Sequence, residues 1–230
     1  MRVLKSLAIC SLLPMALSSA TLAGPLSLYE WALNIDGTVY DFFPPPGSPP
    51  AGVNAVGFDQ TTGLGSLTVQ VSGTGLHSVL SFFDIEIDEG INTYFNEIGT
   101  VLGAPPAGLS WEIDEPGFVF GDIFTNFSAG TLDNTNAIPS TLPDDVSVAL
   151  KWNFVLASDE TATMNFVVSP ADPGGFRLLQ QDPDSNVDIF YTTSISIHGG
   201  TTTVPEPTSL MLLAPFAAAL GLARLRKARA

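Results

Sequence analysis

The chain has 230 residues, 23 acidic side chains and eight basic ones, which is enough for one domain of ordinary size with a real hydrophobic core. Six of the basic residues sit at the two ends, so Lys151 and Arg177 are the only cations facing the acidic residues of segment 24–204. A surface of that sign excludes nucleic acid and bare anionic lipid as partners, and the one cysteine, Cys10, lies in an N-terminal apolar stretch, which excludes thiol catalysis in a chain that loses it.

Residues 1–23 read as a signal peptide: a basic start carrying Arg2 and Lys5, a mostly apolar run, and small residues ahead of a cut after Ala23 or, nearly as well, after Ala20. An uncleaved anchor helix is the competing reading, and Pro14 together with the short apolar span argues against it. Segment 24–203 is expected to be the ectodomain. It opens with Tyr29, Trp31, Leu33 and Ile35 on one face and Glu30, Asn34 and Asp36 on the other, a half-buried strand turned by Asp36-Gly37 into a second strand ending at Phe42. The proline run 44–50 is a loop.

Alternation returns at Leu67, Val69 and Val71, then at Val79, Phe83, Ile85 and Ile87, with Asp84, Glu86 and Asp88 pointing away as a polar outer face. Trp111 and Ile113 alternate with Glu112 and Asp114. Val146, Val148, Leu150, Trp152, Phe154 and Leu156 share a face, as do Met164, Phe166 and Val168 beyond the turn at 158–160, and Val187, Ile189, Tyr191, Ile195 and Ile197 close the set. Helical stripes are nearly absent and no fixed repeat appears, so the expected fold is all-β, an antiparallel β-sandwich of jelly-roll or immunoglobulin-like kind.

Few residues are arranged for chemistry. Asp182, Asp184, Asn186 and Asp188 stand two apart, a spacing from which a loop can turn oxygens around Ca2+, although Val187 and Thr193 occupy positions where an EF-hand needs glycine and glutamate. Asp84, Glu86 and Asp88 offer a second carboxylate row, suited to a cation or to acid and base work, but alternation alone accounts for it. His77 and His198 lack metal-binding spacing and read as isolated surface residues; Trp31, Trp111 and Trp152 share faces with aliphatic residues and read as core rather than as sugar-stacking platforms. No cofactor other than Ca2+ is implied.

Segment 204–230 is the most specific part of the sequence. Val204, Pro205, Glu206 and Pro207 are followed by an apolar stretch over 208–223 and then by Arg224, Arg226, Lys227 and Arg229. The prolines impose a stiff extended segment, the apolar stretch enters lipid, and the basic cluster holds its end on the cytoplasmic side. As a helix, 208–223 reaches only about 24 Å, short of the roughly 30 Å hydrocarbon core, which suits a transient hold in the inner membrane better than a permanent anchor.

This order resembles the PEP-CTERM sorting domain of Gram-negative bacteria. The turn Pro173-Gly174-Gly175 with Phe176-Arg177-Leu178, and the later Asp182-Pro183-Asp184-Ser185, more loosely resemble ectodomains attached to such tails. The resemblance implies removal of the tail by an exosortase-type membrane protease after signal peptidase has cut the other end. It further implies sorting to the envelope, cell surface or exterior, often in bacteria rich in exopolysaccharide and biofilm. The expected protein is a non-catalytic surface or matrix component. The alternatives are a secreted polysaccharide-active hydrolase and a calcium-dependent carbohydrate-binding module.

Overall fold

The computed structural model describes residues 26–88, 94–117 and 120–199; the expected signal peptide (1–23) and the expected sorting tail (204–230) lie outside the described residues. Among the described residues eleven strands form two antiparallel sheets. The first sheet takes β1 (Leu26–Ile35), β2 (Thr38–Asp41), β5 (Gly75–Ile87), β7 (Leu109–Asp114) and β8 (Ser147–Leu156), in the order β2-β1-β5-β8-β7. The second takes β3 (Val53–Phe58), β4 (Gly65–Ser72), β6 (Ile98–Leu102), β9 (Glu160–Ser169), β10 (Arg177–Asp182) and β11 (Val187–Gly199), in the order β3-β4-β9-β11-β10-β6.

The sheets pack face to face over one core. Trp31, Val79, Phe83, Ile85, Val148 and Leu150 from the first sheet meet Leu67, Val69, Met164, Phe166, Ile189 and Tyr191 from the second. These are the inward members of each period-two run, so the expected all-β sandwich follows from the alternation. Trp31 is fully buried and stacks on Phe42 at 3.9 Å, and Trp152 is buried with Nε1 donating to Thr193 Oγ1 at 2.9 Å. Trp111 is half-buried against Phe176.

Several local expectations change. Tyr29 does not share the inner face with Trp31: a β-bulge between Leu28 and Glu30 inserts it as an extra residue, leaving it 40% exposed while Leu28 turns inward. Ile197 ends β11 exposed rather than in the core. Strands β3 and β6 carry no clean alternation, and a helix not read from the sequence, α1 (Ile123–Ala129), follows β7. The helix is stopped by Gly130 in the left-handed conformation (φ 70°), whose N–H caps helix carbonyls. Asp36-Gly37 makes the expected turn with positive φ at both residues.

The helix lies on the outer face of the first sheet. Ile123, Phe127 and Leu132 pack on Ala32, Leu80, Phe82 and Ala149, residues that alternate with the inner core on the same strands. Asn34, expected on a polar face, is buried there, and its Nδ2 donates to the carbonyls of Phe127 and Ser128 at 2.9 and 3.1 Å. The first sheet is therefore covered on both sides, and its outer face carries most of the buried carboxylates. Among the described residues no helix is long and apolar enough to cross a membrane.

Candidate functional site

Directly opposed residues in an antiparallel ladder share a face, so the register fixes what surrounds each acid. Glu30 on β1 stands opposite Asp84 on β5, Asp84 opposite Ser147 on β8, and Ser147 opposite Asp114 on β7. Along β5 the same face continues to Glu86. Asp145 arrives two residues before β8 and Glu97 just before β6, where a bridge to Asp144 ties it to the approach of β8.

The expected polar outer face of β5 is thus present but not solvated. Asp84 is 0%, Glu86 6% and Asp88 8% exposed, with Asp145 at 8% and Glu97 at 1% beside them. One oxygen from each of Asp84, Glu86 and Asp145 lies within 4.8 Å of the others. Both carboxylate oxygens of Asp84 lack a hydrogen-bond partner among the described residues.

Glu97 has donors on one side only. Its Oε2 accepts from Gln180 Nε2 at 2.6 Å and from the Val146 N–H at 3.3 Å, whereas Oε1 has no donor among the described residues. Gln180 Nε2 also donates to the Ile85 carbonyl at 2.7 Å, and the Tyr191 hydroxyl donates to Gln180 Oε1. This chain joins the acid cluster to the inner face of the second sheet.

Burial disfavours the ionised forms, and mutual repulsion adds to it. Burial, then Asp145, Glu86, Glu30 and Glu97, pushes Asp84 well above the carboxylate range. Glu97 is pushed up to about 9, chiefly by burial, with Glu86 and Asp145 adding and Gln180 and Val146 opposing. Glu30 is raised to about 7 by burial and by Asp41, with which it shares a hydrogen bond. Those two line an open hollow of about 300 Å3 with Phe43, Pro116 and Phe124.

A second carboxylate group occupies the same sheet face nearer β7, and its oxygens are supplied with amides. Glu112, Asp114 and Asp122 also converge within 4.8 Å. Glu112 accepts from Asn126 Nδ2 at 2.9 Å and the Asp133 N–H at 3.2 Å, and Asp114 Oδ2 from the Asp122 N–H at 2.9 Å. Next to them, Glu115 Oε2 accepts from the backbone N–H groups of Gly117, Phe120 and Gly121. These acids shape the loop that carries α1.

The residues singled out for Ca2+ lie elsewhere, in the β10–β11 hairpin. Asp182 Oδ1 accepts from the N–H groups of Asp184 and Ser185 at 2.8 and 3.3 Å and its Oδ2 from Ser185 Oγ at 2.7 Å, so its carboxylate organises the turn. Asn96 Nδ2 bridges Asp182 and Asp184, Asn186 adopts φ 52° at the exposed turn, and Asp188 accepts from Gln181 Nε2 on the strand. The carboxylates of Asp182, Asp184 and Asp188 do not converge as those of the two clusters do.

His77 is not isolated, as expected from spacing, but sits between Asp36 Oδ2 at 2.8 Å and the Gly73 carbonyl at 3.0 Å, and the Asp36 contact raises its pKa. The two described cations are committed as well: Lys151 Nζ donates to the Gly130 carbonyl at 2.7 Å, and Arg177 pairs with Asp172 and the Gly175 carbonyl. The fold and site define a two-sheet, all-β domain with an acid cluster buried on the outer face of one sheet. No protein-family model, no curated protein and no solved structure matches the chain.

Proposed function

We propose that the protein is an exported, non-catalytic component of the cell surface or extracellular matrix, delivered by an N-terminal signal peptide and sorted by an exosortase-type system through its C-terminal tail. The observation that carries this reading is the succession of Val204-Pro205-Glu206-Pro207, the apolar segment 208–223 and the cluster Arg224, Arg226, Lys227 and Arg229.

The described sheets support it: all eleven strands lie between the two expected cuts, after Ala23 and at the 204–207 motif. The chain changes sheets between β2 and β3, β4 and β5, β5 and β6, β6 and β7, and β8 and β9, which favours a jelly-roll over an immunoglobulin-like arrangement.

A non-catalytic role is favoured by the spacing of the acids. Glycosidic cleavage needs two carboxyl groups flanking a sugar at about 5 Å or more in a groove, whereas Asp84, Glu86 and Asp145 crowd together inside the protein and Glu30 shares a hydrogen bond with Asp41. The expected neighbour outside the cell is a neutral polymer such as exopolysaccharide. Intact mass of the protein from its host, with and without the host's exosortase, tests the reading: both ends missing, the C-terminal loss depending on the protease, is the expected result, and a retained tail in both strains overturns it.

A further inference from the structure

We infer that Asp84, Glu86 and Asp145 form a buried site for a hard divalent cation, Ca2+, flanked by Glu97. Two oxygens bound to one Ca2+ at about 2.4 Å are at most about 4.8 Å apart. One oxygen from each of the three carboxylates meets that limit.

Convergence of acids alone would not suffice, and Asp84 supplies the independent observation. It is wholly buried with neither oxygen receiving a hydrogen bond among the described residues. A buried carboxylate is stable when a proton, a donor set or a counter-charge compensates it. Lys151 and Arg177, the only Lys or Arg side chains of the described residues, are engaged elsewhere with Gly130, Gly175 and Asp172. What compensates Asp84 is therefore a proton or a cation from outside the described protein, and three carboxylates converging on one point favour the cation.

The donor set identifies the ion. It consists of carboxylate oxygens without nitrogen or sulfur, which suits a hard cation. Mg2+ demands near-ideal octahedral geometry and keeps its water shell, whereas Ca2+ accepts irregular carboxylate cages. Glu30 connects the site to the surface, since it stands opposite Asp84 in the ladder and also lines the hollow beside Phe43.

Such an ion would tie the end of β5 to the approach of β8. Through Glu97, Gln180 and Tyr191 its effect would extend into the second sheet. The role is structural, and it does not depend on how the chain is exported.

The test is thermal unfolding of the full-length chain after chelation, with CaCl2 or MgCl2 added back and calorimetric titration in parallel. Saturating Ca2+ is expected to raise the midpoint by about 5 °C. Asp84→Asn and, separately, Asp145→Asn should each abolish the shift. In chelator Asp84→Asn should unfold no earlier than the parent, because the amide can donate to the neighbouring carboxylates and carries no charge. Asp184→Asn, in the hairpin, should keep the full shift. The inference is overturned by absence of a Ca2+ shift up to about 10 mM, by a shift that survives either Asp84→Asn or Asp145→Asn, or by one lost in Asp184→Asn.

Discussion

Two acid clusters share one face of one sheet and behave differently because of what donates to them. Glu112, Asp114 and Glu115 receive backbone N–H groups from the loop around α1, with Asn126 adding a side-chain amide to Glu112. Asp84 receives none from the described residues, and Glu97 is served at one oxygen. Carboxylate identity and spacing are alike in the two places. The donors decide which cluster builds the fold and which is left with charge to dispose of.

The contrast can be broken by substitution. The largest effect is expected at Gln180, where Gln180→Ala removes partners from Glu97, the Ile85 carbonyl and the Tyr191 hydroxyl at once; loss of about 3 kcal/mol in denaturant unfolding would fit three buried hydrogen bonds lost together. Glu115→Ala strands three backbone N–H groups at the partly exposed loop and should cost about 2 kcal/mol by the same measurement. If it costs nothing, the amide-filled cluster is not a structural element. Gly130→Ala should cost about 1 kcal/mol, since nothing stands within 4 Å of the added Cβ and only the left-handed backbone opposes it. Its effect sharpens the comparison by measuring how much α1 matters to the covered face.

How far the sequence spoke for the structure differs between fold and site. Residues such as Leu67, Val69 and Val71, or Met164, Phe166 and Val168, announce their strands because one face is buried and the other is not. Tyr29 misleads because a bulge shifts the alternation by one residue, and α1 is too short for a helical stripe to show, though Ile123 and Phe127 at i, i+4 before Gly130 are its trace. Asp84 and Glu86 are visible as spaced carboxylates and look like solvated side chains, because alternation does not reveal that a later segment covers that face. Asp145, Glu97 and Gln180 join them only through sheet order, from segments far apart in the chain. The hairpin acids Asp182 and Asp184, conspicuous by spacing, spend their oxygens on Asn96 and on the turn.

Unfolding free energy against pH, measured in chelator and again in Ca2+, tests the account most directly. Glu97, at about 9 in the fold against an ordinary 4.5, holds its proton in the folded state after the unfolded chain has released it. Asp84, Glu30 and Glu112 shift in the same direction. His77 adds the same sign, its contribution being present below its unfolded pKa of 6.5 and lost as pH rises through the higher folded one. Stability in chelator should therefore fall as pH rises from about 5 to 9, by at most about 1.4 kcal/mol per pH unit for each proton. Ca2+ should restore more at pH 8 than at pH 5, where protons compete for the oxygens. Stability that rises with pH in chelator, or a Ca2+ gain equal at the two pH values, would contradict a buried, donor-poor acid cluster at Asp84.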